Sequence, residues 1–288
     1  MKTTITSEMV YDVCIRDLWE AVTNSANFKK WYFEIPNFSI VPNDSFEFMD
    51  RSKTLRHRCT ILTCEPEKSL IHTWELPEES NGSSQVEWKL ESIDDSHSKL
   101  TIIHSGIDAF KDAGESLSAK KLQEGWDRIV HVYLRNYLYL IEKLHFSINI
   151  NAPKHVVWKK LWNKESFKIW SKPLFEGSHY EGEIKLNGRI HFLTPTGYGL
   201  FSDIQVLKPE ELIIFKHIGK VVQSKEQELD EKTKRWTGCF ELYRLMEISK
   251  DMTELEVEID VTNSRFEYMR KHFTTCLDNL KELCEAKQ

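Results

Sequence analysis

A stretch near the start of the chain recurs further along it at a constant offset of 139 residues. Residues 19–31 carry Trp19, Asn24, Phe28, Lys29 and Trp31; residues 158–170 carry Trp158, Asn163, Phe167, Lys168 and Trp170 in the same spacing. Further matches follow in the same order. Pro66 with Leu70 and Ile71 corresponds to Pro209 with Ile213 and Ile214, and Leu90, Ile93 and Leu100 correspond to Leu245, Ile248 and Leu255. The offset drifts between matches, as it does when loops differ in length, which costs a fold little. A repeat of this size means two copies of one fold rather than a single large core. The reading is a domain over 1–142 and a second over 143–288. The junction, Tyr139 to Phe146, has no Gly, Pro or Ser stretch, so a helix is expected to run almost directly into a strand.

Within a copy the apolar periodicity changes in a fixed order. A strand around Thr4–Val13 leads into two short helices, near Leu18–Val22 and Ala26–Trp31, the first capped by Asp12 or Asp17. Period-two alternation follows: Phe46 and Phe48, Leu62 and Cys64, Leu70 with His72 and Trp74, Val86 with Trp88 and Leu90, Leu100 with Ile102 and His104. That is the pattern of antiparallel strands with one buried face. A stripe at spacings of three and four, from Trp126 through Val130, Tyr133, Leu134 and Tyr137 to Ile141, then predicts a long amphipathic helix over about Ala119–Glu142. Copy two repeats the plan, from a strand at His145–Asn151 to a final helix carrying Phe273, Cys276, Leu277 and Leu280. Its strands are expected at Gly188–Leu193, Gly199–Val206, Glu211–His217, Cys239–Ile248 and Thr253–Val261, with Gln223–Lys234 a charged, solvated loop. Strands grouped apart from helices give an α+β class: in each copy a curved antiparallel sheet wraps a long helix.

Composition narrows the function classes. A net charge of -6 over 288 residues is a poor match to nucleic acid or anionic membranes. It is unevenly spread: residues 1–142 hold 16 basic and 23 acidic side chains, and the rest 23 and 22. No apolar run approaches a membrane span, and the N-terminus lacks a signal-peptide stretch, so a cytoplasmic protein is expected. The six cysteines form no C-x-x-C. Cys59 and Cys64, five apart, would face opposite sides of one strand. Scattered histidines without H-x-x-x-H spacing give no metal site, and no nucleotide loop or nucleophile elbow is present, so no cofactor is expected.

Each half resembles the SRPBCC or START-type helix-grip superfamily, and most nearly the domain of Aha-type activators of the heat-shock-protein ATPase. In copy one the likeness rests on Leu18-Trp19 through Trp31, on Cys64 to Trp74, on Val86-Glu87-Trp88 and on Gly125-Trp126. In copy two it rests on Val157-Trp158 through Trp170, on Leu207 to Phe215 and on the last helix. The resemblance implies two tandem helix-grip domains, each with a cavity between sheet and closing helix. Strand parity then names the lining: Leu62, Leu70, His72, Trp74, Trp88 and His104 from the first sheet, Trp126 and Tyr133 from its helix, and Phe215 and His217 in copy two. Such walls suit a hydrophobic or lipid-like small molecule, though the same residues can simply fill a core. Three functions are weighed: a non-enzymatic binding protein for such a ligand; a chaperone-linked or other protein-interaction module; and a cyclase- or dehydratase-like enzyme using His72, His104 or His217 as acid or base. A small molecule and a protein are the possible partners.

Overall fold

A computed structural model describes residues 3–49, 56–111 and 113–286. The chain divides into two compact units, Met1–Tyr139 and Leu140–Gln288. The first opens with β1 (Thr4–Tyr11), followed by α1 (Ile15–Thr23) and α2 (Ser25–Trp31). Five strands come next: β2 (Ser45–Met49), β3 (Arg56–Glu65), β4 (Ser69–Glu75), β5 (Ser83–Ser92) and β6 (Ser98–Ser105). They form one antiparallel sheet in the order β1-β6-β5-β4-β3-β2. The closing helix begins as α3 (Ala119–Arg128), widens into a π-helical segment Ile129–Leu134, and ends as α4 (Arg135–Leu138).

The sequence explains the widening. The buried residues of α3 and the π segment are Leu122, Trp126, Val130 and Leu134, four apart each time. At 3.6 residues per turn a strict spacing of four drifts by about 40° per step. A stretch with more residues per turn returns Val130 and Leu134 to the face that Trp126 begins. The buried Tyr11 hydroxyl of β1 then donates to the Val130 carbonyl at 2.8 Å. The helix stops at Leu138, earlier than the expected Glu142, because Leu140 takes a positive φ of 53° and Ile141 starts the next sheet. The cap of α1 also differs from expectation: Cys14 occupies it without a side-chain hydrogen bond. Asn24 caps α2 instead, accepting from the Ala26 and Asn27 amides, as the repeated Asn163 does for its helix.

The second unit repeats the order with additional short strands. It comprises β7 (Ile141–Ile150), α5 (Lys154–Trp162), α6 (Lys164–Trp170), β8 (His179–Gly182), β9 (Arg189–Leu193), β10 (Gly199–Lys208) and β11 (Leu212–Val222). A short β12 (Lys225–Glu226) folds back on β11, and α7 (Glu231–Lys234), β13 (Phe240–Ser249), β14 (Met252–Thr262) and α8 (Asn263–Glu285) complete it. The segment read as a charged loop therefore contains a short strand paired with β11 and a helical turn. The sheet runs β7-β14-β13-β11-β10-β9-β8. α8 keeps ordinary α spacing, burying Phe273, Cys276, Leu277, Leu280 and Cys284. Both units are thus helix-grip folds, an antiparallel sheet closed by a C-terminal helix.

One strand corrects the parity reading. β3 pairs with β4 through a register shift between Ile61 and Thr63, and an extra residue in one strand turns the following side chains over. Leu62 falls at the shift, on the face opposite Cys59 and Ile61, and is 41% exposed while those two are buried. Leu62 cannot line the interior. The same shift brings Cys64 against the core that Cys59 already occupies, so the two thiols do not face opposite sides.

Candidate functional site

The register relates the two interiors rung by rung. In the first unit Val86 of β5 lies between His72 of β4 and His104 of β6. In the second, Glu241 of β13 lies between Phe215 of β11 and Ile259 of β14. The two polar flanks of the first rung become apolar, and the apolar centre becomes a carboxylate.

In the first unit His72 and His104 each have both ring nitrogens engaged. His72 Nδ1 donates to the Thr73 carbonyl at 2.7 Å, and its Nε2 accepts from the Trp88 indole at 3.1 Å. His104 Nδ1 accepts from the Trp126 indole at 3.0 Å. Its Nε2 then donates to Ser84 Oγ at 2.7 Å, which donates to the Trp74 carbonyl. Those roles fix the neutral tautomers. Burial holds both rings well below the usual histidine range, at about 4. The space left beneath these side chains is about 20 Å³, walled by Phe28, Tyr32, Phe46, Leu70, His72, Trp74 and Trp88. That is room for roughly one water. Leu70, His72, Trp74 and Trp88 meet around it as the alternation predicts. His104 and Trp126 are buried beside them, and Tyr133 lies half-buried on the π segment.

The second unit holds a different set. Phe215 and His217 are buried on β11. His217 Nδ1 lies 2.8 Å from Ser202 Oγ, and its Nε2 lies 3.7 Å from Glu241 Oε2. The Tyr243 hydroxyl donates to the other Glu241 oxygen. Desolvation raises the Glu241 carboxyl to about 7, opposed by the Tyr243 bond, and lowers His217 to about 4. The Trp162 ring packs on Tyr243 and Phe215 at centroid distances of 5.0 and 5.3 Å. Its indole N–H is buried with no acceptor among the described residues. Trp162 also lines an open cleft of about 520 Å³ with His155, Trp158, Lys159, Asn163 and Glu210. Glu241, Tyr243, Ser202 and Trp162 were not named from the sequence. A signal was available: Leu245 repeats Leu90, and four residues earlier Glu241 falls on the buried Val86.

Residues 12–138 match the family model described as Activator of Hsp90 ATPase homolog 1-like protein. That match spans most of the first unit. No curated protein matches the chain. Solved structures similar to it include DynU16 from the dynemicin biosynthetic locus, at 15% identity over 98% of this chain and 97% of that one, with a TM-score of 0.40. The di-domain ARO/CYC protein BexL of the BE-7585A biosynthetic pathway is similar at 12% identity over 99% and 100%, with a TM-score of 0.38. The Aha1 dimer from Colwellia psychrerythraea is similar at 17% identity over 50% and 97%, with a TM-score of 0.40. Likenesses of this size carry no argument about ligand or reaction. No helix among the described residues is long and apolar enough to cross a membrane.

Proposed function

We propose that the protein is a cytoplasmic, non-enzymatic binding protein that takes a hydrophobic small molecule between sheet and closing helix, and that the second unit is the receptive one. The observation that carries this is the rung on which Glu241 replaces Val86. A carboxyl placed among Phe215, Tyr243 and Ile259 costs stability that packing alone does not require, which marks a functional position. The six free cysteines suit a reducing compartment. The first unit plays a supporting part in this reading. His72 and His104 have no ring nitrogen left for a substrate, which counts against acid–base catalysis by either. Its remaining lining (Leu70, His72, Trp74, Trp88, His104, Trp126 and Tyr133) would admit a ligand only by moving. Native mass spectrometry against a library of hydrophobic metabolites and fatty acids is the test, combined with amide exchange. One ligand per chain, with new protection in β11, β13 and α8, is the expected result. An empty protein with no protected segment would overturn the reading.

A filled first interior also favours a second reading, in which that unit offers its outer surface to a chaperone-linked protein. The match of residues 12–138 to a family model described by activation of the Hsp90 ATPase supports the same class of partner. Cross-linking with a purified Hsp90-type chaperone separates the two, since only this reading expects cross-links on 12–138.

A further inference from the structure

We infer that the second unit's interior is a site for a small organic cation, a protonated or quaternary amine, seated on Glu241 and walled by Trp162, Phe215 and Tyr243. This rests on the reading of that interior as a ligand site and names the ligand's chemistry. Buried charges in folded proteins are paired or bound to metal. Glu241, 17% exposed at its side chain, has neither arrangement. One oxygen accepts from Tyr243, and the other faces a neutral imidazole at a distance too long for a hydrogen bond. No lysine or arginine reaches it among the described residues.

The other groups around it are already committed. Asp260 on β14 pairs with Lys143 of β7 at 3.1 Å and accepts from the Phe240 amide. Ser202 on β10 bonds to His217. On α8 burial pushes the Cys276 thiol up to about 12, so it stays neutral. The missing partner is therefore a cation that the chain does not supply.

The walls say which kind. One carboxylate and one imidazole are too few ligands for a metal ion, which takes at least three or four. Three aromatic rings lie together instead: Trp162 is 5.0 Å from Tyr243 and 5.3 Å from Phe215, and Phe215 is 6.4 Å from Tyr243. Aromatic faces attract an alkylated ammonium strongly once water is removed.

Entry has a movable wall. The indoles of Trp31, Trp88, Trp126 and Trp170 are each held by a hydrogen bond, to the Ala21 carbonyl, His72, His104 and the Leu161 carbonyl respectively. The Trp162 indole has none. It lines the open cleft on one side and packs on Tyr243, whose hydroxyl bonds Glu241, on the other.

Calorimetric titration and thermal shift with choline chloride test this on the full chain, against sodium chloride and the neutral isostere 3,3-dimethyl-1-butanol. The expected result at pH 8 is a melting-temperature rise with choline that neither control gives. Because the carboxyl titrates at about 7, the apparent affinity should weaken about thirtyfold at pH 5.5. Glu241→Gln should lose the choline response while melting no lower than the parent at pH 8. An equal rise with the alcohol would overturn the inference but leave a hydrophobic pocket standing. Absence of a choline response in the parent, a response independent of pH, or one retained by Glu241→Gln would also overturn it.

Discussion

Glu241 and His217 respond to acid in opposite senses. Burial raises the folded-state value of Glu241 from 4.5 to about 7. Its favourable contribution is therefore fully present below pH 4.5 and lost as pH rises through about 7. The full swing is at most on the order of 3 kcal/mol. Burial lowers His217 from 6.5 to about 4, so its contribution is present above pH 6.5 and lost as pH falls through about 4. Between those limits the two slopes oppose each other. His72 and His104, both lowered to about 4, add in the same sense and have no buried carboxyl on their rung to offset them. Glu241→Gln should thus stabilise the chain by about 1–3 kcal/mol at pH 8 and change little at pH 4, read from urea unfolding across that range. A pH-independent effect would remove the ionisation account. The histidines were legible in the sequence because strand alternation gives parity. Glu241 escaped because a charged residue inside an apolar strand reads as outward-facing until the repeat is aligned.

At the scale of elements, helix and strand periods recovered the order in both copies, and two local departures explain where they failed. The register shift at Leu62 turns Cys64 back toward the core, so Leu62 and Cys64 do not share a face and Leu62, read as lining, reaches solvent. An alternating string of residue types carries no mark of an inserted residue. The widened helix is more legible: four successive burial sites exactly four apart drift off any straight α-helix, and Tyr11 supplies the hydroxyl that the Val130 carbonyl accepts. Tyr11→Phe keeps the ring and leaves that buried carbonyl without its donor. The expected loss is about 1–3 kcal/mol, with faster amide exchange over 129–134. A variant as stable as the parent would show that water satisfies the carbonyl instead.

For the whole molecule, the repeat predicts two domains, and each unit has its own buried cluster. Chains of residues 1–139 and 140–288 made separately are expected to unfold cooperatively by circular dichroism. Loss of cooperativity in either would show that it depends on the other. The copies have diverged in charge as well as in their rungs, with the imbalance of acidic over basic side chains confined to residues 1–142. Strand pairing has a further effect, on the order of events as the chain is made. β1 pairs with β6, Thr4 against Ser105, and β7 pairs with β14, Ile141 against Thr262. Each unit's opening strand therefore meets its partner only after about 100 further residues, which at roughly 5–20 residues per second takes about 5–20 seconds. During that interval the strand's hydrogen-bonding edge is unsatisfied, and the emerging chain is at its most exposed to pairing with another copy.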